Sequence, residues 1–420
     1  MEEIALIRPS GDRMSRDVST LTAVDGSALA SVSQAPPLLV SLTLRSLSAG
    51  AVSASVLADA GKLFASATLC GETPDAYVRN VAAATGLPLS VVDSALPTFA
   101  SVLPRMEEMV DAARPWGSPS SRWVRRGRTL GVVAPSNHPM VHIEWLQALF
   151  LGYALLVRPG GRDPFTPRRL AWALFEAGLP RTQLAVLPGP HASGATLLAE
   201  ADLGLVYGSA SAVAPYVGSS RVAVRGPGRA KALVLGSDVS WVLEQIAGDG
   251  GVRCNNVSTV FCSGAPESLA SSLASRLAAV PNSALPVHSS DAAKALRGLL
   301  GDARLVGDEP LVELGDGQAV LRPAVALAAR PGPELPFPCV WVVPWEPASG
   351  IAPLRDSLAV LLPADVPGDL LAEALDEPSI RAVVCGDRGE WWADPLLPHD
   401  GYLAHFLMEC RGVVGCPPGF

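Results

Sequence analysis

Short apolar runs alternate with helical patterns through the middle of the chain. Continuous apolar runs predict buried strands, and apolar residues at helical spacing predict the helices that cover them. The predicted strands are Leu130–Ala134, Ala154–Val157, Gln183–Leu187 and Leu203–Tyr207, with helices over about 141–152 and 168–177. This alternation favours a parallel sheet with both faces covered, and such sheets bind ligands at the carboxyl ends of their strands.

The flanking segments differ in pattern. Residues 1–50 alternate weakly and predict a few strands, whereas residues 51–113 have helical periodicity. A second α/β unit follows, with strands near Thr259–Cys262, Val340–Val343 and Leu358–Leu361. The predicted fold class is α/β, in four segments: 1–122 with strands and a helical subdomain, 123–237 with a Rossmann-like sheet, 238–385 with a second α/β domain, and a tail over 386–420.

Composition excludes several classes of protein. The 420 residues are 49% hydrophobic and 17% charged, with a net charge of −8 and no basic stripe, which argues against disorder and against nucleic-acid binding. The most apolar stretch, Met140–Val157, is interrupted by His142, Glu144 and Gln147, so we predict no membrane span. The N-terminus lacks the pattern of a signal peptide. Seven cysteines without metal-ligand spacing predict no metal site and reduced thiols in the cytoplasm.

Six segments follow one another in a recognisable order. They are GVVAPSNHP over 131–139, VRPGG over 157–161, AGLP over 177–180, YGS over 207–209, GVRC over 251–254 and ELPFP over 334–338. In this order they resemble segments of the aldehyde dehydrogenase superfamily. The N-terminal helical segments (Val56–Lys62, Thr85–Pro88, Val91 and Val92) and the tail (His399–Leu403, Phe406–Met408) are similar to the acyl-CoA reductase subunit of bacterial luminescence fatty acid reductases.

The resemblance implies an NAD(P)-binding domain over 123–237, a catalytic domain over 238–385 and a homo-oligomer, with the tail as a possible oligomerisation segment. It also places a covalent nucleophile at Cys254, because a thiolate attacks aldehyde and thioester carbonyls. We expect Arg253 to help lower the pKa of this thiol. The alternative is a small buried core cysteine, which is the role we assign to Cys262.

The resemblance gives Asn137 the second catalytic role. Its side-chain amide and the backbone N–H of Cys254 would form an oxyanion hole. The alternative is a turn residue before Pro139. We assign no role to the adjacent His138.

The glutamate that activates water in oxidising members of the family has no counterpart here. The matching stretch, Val224–Arg229, contains no acid. Hydrolysis of an acyl-enzyme should then be slow, and exchange with a thiol should replace it. We therefore predict NADPH-dependent reduction of an acyl thioester, of coenzyme A or of a carrier protein, to an aldehyde. The alternatives are oxidation of an aldehyde to an acid, with Glu244 or Glu334 as base, and a non-catalytic or acyl-transfer-only relative.

The cofactor site follows from the same resemblance. Gly161 replaces a glutamate that binds the adenosine ribose, while Arg158 and Arg162 flank the loop, which favours NADPH although NADH stays possible. The alternative is a solvated surface turn. We expect Glu334 to hold the nicotinamide ribose and Phe337 to pack beside the nicotinamide, or else to serve as a strand-entry acid and a core residue. The other predicted cofactor contacts are Pro135, Ser136, Pro159, Gly208 and Ser209, the last two near the pyrophosphate.

Overall fold

A small sheet and a helical bundle open the chain. The computed structural model describes residues 2–115, 121–398 and 400–414. The first elements are β1 (Glu2–Ile4), β2 (Val18–Thr22), β3 (Ala28–Ser33), α1 (Pro37–Ser46), α2 (Ala54–Ser66), α3 (Pro74–Thr85), α4 (Leu89–Val102) and α5 (Met106–Ala112). The predicted strands and helical segment are confirmed, whereas α1 was not predicted. Ser53 and Thr73 cap the starts of α2 and α3, and Gly86 ends α3 in the left-handed conformation.

The first parallel sheet carries the strands predicted for the middle of the chain. Its region contains β4 (Ser121–Arg125), β5 (Thr129–Val133), α6 (His142–Phe150), β6 (Ala154–Arg158), α7 (Phe165–Glu176), β7 (Leu184–Val186), α8 (His191–Glu200), β8 (Leu203–Tyr207), α9 (Ala210–Val213) and β9 (Val222–Arg225). In the described part of the chain, five parallel strands follow the order β7-β6-β5-β8-β9. The strand order reverses between β5 and β8, and ligands of such sheets bind in the crevice at this point.

The second sheet contains most of the remaining strands. Its region runs through β10 (Ala230–Val234), α10 (Ser240–Ala247), β11 (Val257–Cys262), α11 (Pro266–Leu277), β12 (Val287–Ser289), α12 (Ser290–Gly298), β13 (Arg304–Val306), β14 (Leu311–Gly315), β15 (Gln318–Leu321), β16 (Ala324–Leu327), β17 (Cys339–Pro344), β18 (Val360–Leu362), α13 (Gly368–Asp376) and β19 (Val383–Cys385). Seven described strands follow the order β13-β16-β17-β11-β10-β18-β19. Three more, β12, β15 and β14, form a separate antiparallel sheet.

Strand β10 corrects one feature of the predicted organisation. The sequence analysis grouped residues 230–234 with the first unit, yet β10 pairs with β11 and β18 in the second sheet. The loop over residues 226–229 carries the chain from one sheet to the other. An apolar strand buried on both faces has the same pattern in either sheet, so periodicity alone did not assign it.

The tail returns to the first half of the molecule. Helix α14 (Leu403–Leu407) leads into β20 (Met408–Gly412), which pairs antiparallel with β4. His399, which begins the tail segment of the family resemblance, and residues 415–420 of the predicted oligomerisation segment lie outside the described residues. Within the described ranges, none of the helices has the length and apolar character needed to span a membrane.

Candidate active site

One large cavity lies where the five-stranded and seven-stranded sheets meet the helical bundle. Its volume is about 1470 Å³. Of the residues predicted from the sequence to form the site, those on its walls are Pro135, Ser136, Asn137, Gly208, Ser209, Cys254 and Glu334. These residues come from the loops after β5 and β8, the loop before β11 and the segment before β17, so the fold brings four separate sequence segments together.

The loop that carries Cys254 is held by its own neighbours. After α10, Asp249, Gly250 and Gly251 adopt the left-handed conformation, and side chains at both glycines would collide with neighbouring backbone or proline atoms. The backbone N–H of Arg253 donates to Oδ1 of Asn256 at 2.8 Å. The amide of Asn256 in turn donates to two carbonyl oxygens, those of Gln245 and Gly248, each at 3.2 Å. The position of Cys254 is thus fixed by hydrogen bonds within residues 245–256.

Asn137 faces this loop from the first sheet. Its Nδ2 atom donates a hydrogen bond to the carbonyl oxygen of Val252 at 3.0 Å. An amide nitrogen has two hydrogens, so the second one stays available for another acceptor. The structure therefore brings Asn137 beside the loop of Cys254, and its part in an oxyanion hole stays a prediction.

A second link joins the same two loops through His138. Nδ1 of His138 accepts the backbone N–H of Met140 at 3.2 Å, so the hydrogen of the neutral ring is on Nε2. Nε2 lies 3.4 Å from Oδ2 of Asp249. His138 is only 5% exposed. This histidine has no role in the prediction from sequence, because its partner lies 111 residues further along the chain.

Glu334 lies close to Cys254 in the cavity. Its carboxylate accepts the backbone N–H groups of Arg229 and Gly228, while burial raises its pKa. A side chain at Gly228 would overlap the carbonyl oxygen of Cys254 and approach the Glu334 carboxylate, so this position requires glycine. The loop between the sheets therefore packs directly on the loop of the candidate nucleophile.

Arg225 stands where the water-activating glutamate was expected from the resemblance. Its guanidinium lies 2.6 Å from Oε1 of Glu144, and the hydroxyl of Tyr207 donates to Oε2 of the same carboxylate at 2.6 Å. Asp400 accepts the backbone N–H of Gly226 nearby. Burial alone would lower the pKa of Arg225, but the carboxylate of Glu144 raises this pKa overall. This buried network keeps a positive charge, rather than a carboxylate, at the end of β9.

The electrostatic surroundings of Cys254 disfavour its thiolate. Burial raises the pKa of this thiol to about 12, and the carboxylates of Glu334, Asp400 and Glu144 add to the effect. Arg253 attracts the thiolate, as we predicted from the sequence, but this attraction does not outweigh burial and the three carboxylates. Its guanidinium lies over the ring of Trp392 at 4.6 Å and also pairs with Glu244 and Asp249, so its charge is shared with other partners.

The predicted adenosine end of the cofactor site offers fewer contacts than the end that contains Cys254. Arg158, Pro159, Gly161 and Arg162 lie outside the walls of the cavity. Nε of Arg158 donates to the carbonyl oxygens of Gly189 and Pro190, at 2.9 and 3.3 Å, which ties this side chain to the protein rather than leaving it for a phosphate. Helix α9, which follows Gly208 and Ser209, has four residues, too few to give the helix dipole proposed for the pyrophosphate.

The residues present nevertheless fit NAD(P) at both ends. At the adenosine end, Arg162 is exposed and space is open around Gly161, where an added Cβ would meet no atom within 4 Å. The hydroxyl of Ser136 accepts the backbone N–H groups of Arg162 and Asp163, each at 3.2 Å, and fixes this turn at the crevice. At the other end, the carboxylate of Glu334 suits ribose hydroxyls.

Phe337 belongs to the core instead. It is 2% exposed and packs in the hydrophobic cluster of β17 and its neighbours, which is the alternative that the sequence left open. Glu144, Tyr207, Asp249 and Asp400 are the polar residues of the site that the sequence analysis missed. An acid inside a mostly apolar helix, as at Glu144, was the one signal available for them.

Comparisons with known proteins agree with this architecture. No family model matches the chain. Solved structures similar over 98% of the chain include an indole-3-acetaldehyde dehydrogenase of P. syringae in complex with NAD+ (TM-score 0.81, 17% identity, 96% of that chain) and a gamma-glutamyl-gamma-aminobutyraldehyde dehydrogenase from Burkholderia cenocepacia (TM-score 0.79, 18% identity, 96% of that chain). The chain has the aldehyde dehydrogenase fold.

Sequence similarity to curated relatives covers a shorter stretch. A putative succinate-semialdehyde dehydrogenase [NADP(+)] of Mycolicibacterium smegmatis is 38% identical over 73 residues, which is 17% of this chain and 14% of that relative. The α/β architecture predicted from the sequence is therefore confirmed as the aldehyde dehydrogenase fold. The luminescence reductase branch has no support among these comparisons.

Proposed function

We propose that this chain is an NAD(P)-dependent dehydrogenase of aldehydes that uses Cys254 as its covalent nucleophile. The observation that carries the proposal is the meeting of Cys254, Asn137 and Glu334 in one cavity beside the crevice of the parallel sheet. An aldehyde dehydrogenase fold and similar proteins named as aldehyde or semialdehyde dehydrogenases support the same chemistry.

In the proposed reaction, Sγ of Cys254 forms a bond to the carbonyl carbon of the aldehyde. The thiol proton passes to a nearby carboxylate. We assign this role to Glu334, because its charge raises the pKa of the Cys254 thiol more than those of Asp400 and Glu144 do. Burial raises the pKa of Glu334, which makes it a better proton acceptor. The remaining amide hydrogen of Asn137 and the backbone N–H of Cys254 then stabilise the oxyanion. If NAD(P)+ were bound in the crevice, it would supply the acceptor for the hydride that leaves this carbon; the aldehyde would be oxidised by two electrons and a thioester would remain on Cys254.

Water is the acyl acceptor that we assign to the oxidising function. The similar proteins are named as dehydrogenases of aldehydes or semialdehydes, and these names favour aldehyde oxidation over the thioester reduction that we predicted first from the sequence. Water attack on the thioester would break the bond between the acyl carbon and Sγ, release a carboxylic acid and regenerate the thiol. Glu334 is the base we assign to this step, after it has released the thiol proton to solvent, since position 225 carries a guanidinium that cannot accept a proton at neutral pH. The proton that Glu334 takes from water then passes to Sγ as the thiol leaves.

Thioester reduction is the second candidate, and Arg225 is the observation that favours it. Its ion pair with Glu144 leaves a cation where hydrolysis needs a base. In this direction, Cys254 would attack an acyl thioester of coenzyme A or of a carrier protein and the thiol would leave. A hydride supplied by bound NADPH would add to the acyl carbon, the bond to Sγ of Cys254 would break, and an aldehyde and the free thiol would result.

The test supplies a panel of aldehydes and semialdehydes with NAD+ or NADP+, in the presence and absence of coenzyme A. Formation of NAD(P)H with release of free acid would support the oxidising function. Formation only when the thiol is present, with acyl-coenzyme A as product, would assign the second candidate. No formation of NAD(P)H, and no oxidation of NADPH by acyl thioesters, would reject both in favour of a non-catalytic relative.

A further inference from the structure

We infer that His138 and Asp249 form a positioning pair that sets the oxyanion-hole residue Asn137 against the loop of Cys254. The inference rests on the proposed function and adds two residues to it. Asn137 and His138 are adjacent in the loop after β5, whereas Asp249 lies five residues before Cys254. The pair thus connects the two loops whose relative position decides whether an oxyanion can form next to the nucleophile.

The hydrogen-bond pattern gives the pair a defined direction. Because the backbone N–H of Met140 donates to Nδ1 of His138, the ring presents its Nε2 hydrogen to Oδ2 of Asp249, 3.4 Å away. The imidazole is 5% exposed and the carboxylate side chain 25% exposed, so solvent competes little for the histidine. Burial opposes ionisation of Asp249, but the hydrogen bond from His138, together with electrostatic attraction to His138 and then to Arg253, lowers its pKa overall.

Backbone geometry ties Asp249 to the candidate nucleophile. Asp249 has a φ of 53°, in a turn where Gly250 and Gly251 are also left-handed. A non-glycine residue is held in this region only when its surroundings favour it, and such residues occur at functional sites. The amide of Asn137 reaches the same turn from the other side, through its bond to the carbonyl of Val252. Two side chains in succession, those of Asn137 and His138, therefore link the β5 loop to two residues of the nucleophile loop, Val252 and Asp249.

Oxyanion stabilisation is sensitive to such a link. The donors must point at the place where charge develops, and misplacement by about 1 Å costs about a hundredfold in rate. Removing the link should therefore lower kcat much more than it changes KM. His138 and Asp249 do not need to touch the substrate for this effect, which makes them positioning residues.

The test compares His138→Ala, Asp249→Ala and the double variant in the full chain, with Asp249→Asn as the conservative variant and the exposed Asp365→Ala as a matched control. We expect each alanine variant to lose about tenfold to a hundredfold in kcat with KM changed by less than about threefold. The double variant should lose no more than either single variant, because both remove the same link. Asp249→Asn keeps an acceptor oxygen and should retain kcat within about threefold.

Alkylation by iodoacetamide supplies a readout that needs neither substrate nor cofactor. Loss of the link should make Cys254 react at least about threefold faster, as peptide mapping would show, while the buried Cys262 stays unreactive as a check on general loosening. Unchanged kcat in both alanine variants, additive losses, or equal acceleration at Cys262 would overturn the inference. If the wild type has no activity but Cys254 still reacts faster in the alanine variants than in the wild type, the proposed function is rejected and the positioning pair is supported.

Discussion

The two ends of the cavity are built in different ways. At the chemical end, the loop of Cys254 is fixed by Asn256, by Asn137 and by a glycine at 228 that allows close packing. At the adenosine end, helix α9 has four residues and Arg158 is bound to backbone carbonyls. The difference indicates that the fold preserves the geometry of the reaction more strictly than the contacts to the nucleotide. Substitutions at the chemical end should therefore change rates, and those at the adenosine end should change affinities by smaller factors.

The largest effect is expected for Cys254→Ala. Loss of the nucleophile should lower kcat for aldehyde-dependent formation of NAD(P)H at least about a thousandfold, because no covalent intermediate can form. Cys262→Ala is the matched control: this cysteine lies on β11, eight residues further on, and its removal should leave kcat within about threefold. Comparable kcat in Cys254→Ala and the wild type would place the reaction elsewhere.

Asn137→Ala should have the next largest effect. Loss of one oxyanion donor lowers kcat by about a hundredfold to a thousandfold. Asn137→Asp should fail to rescue the rate, since a carboxylate offers no hydrogen, and the distant Asn282→Ala should behave as the wild type. Steady-state kinetics over a range of aldehyde concentrations would measure kcat and KM of these variants. A change in KM alone would make Asn137 a substrate-binding residue and weaken the contrast between the two ends.

The pH dependence of Cys254 alkylation tests the electrostatics of the chemical end. Since the pKa of this thiol is raised to about 12, the neutral thiol dominates at pH 7 and the thiolate fraction grows about tenfold per pH unit until the pH approaches that pKa. The iodoacetamide reaction of Cys254, without nucleotide, should therefore accelerate about a hundredfold between about pH 7 and about pH 9. Glu334→Gln removes a negative charge near the thiol and should lower the pKa of Cys254. Alkylation of Cys254 at a fixed pH should therefore become faster. A plateau near neutral pH would show a thiolate already formed.

The smallest effect is expected at the adenosine end. Arg162→Ala should weaken binding of NADP+ relative to NAD+ by about tenfold, because an exposed guanidinium that binds a 2′-phosphate contributes one charge-assisted contact. Arg158→Ala should leave this ratio within about threefold, since Nε of Arg158 already donates to Gly189 and Pro190. Fluorescence titration with both nucleotides would measure the two ratios. An effect of Arg158 larger than that of Arg162 would reverse our assignment of the two arginines.

Sequence patterns predicted which residues lie in the site, but they did not predict the electrostatic environment of those residues. Cys254 and Asn137 were found because each lies in a short segment whose neighbours resemble a known family in order. Arg253 illustrates the opposite case: adjacency in the chain suggested that its charge lowers the pKa of the thiol, yet burial and nearby carboxylates raise that pKa overall, and the side chain of Arg253 stacks on Trp392. The direction of a long side chain depends on partners that come from distant segments, such as residue 392, which a local pattern does not contain.

The sequence by itself determined the α/β class, the buried strands and the loop positions of the candidate catalytic residues, because periodicity and turn residues act over a few neighbours. Only the tertiary structure decided which sheet receives β10, that Arg225 is paired with Glu144, that Phe337 lies in the core and that His138 faces Asp249. Each of these depends on contacts between segments far apart in the chain. Such contacts fix charge, burial and hydrogen-bond partners, and they are created only when the chain is folded.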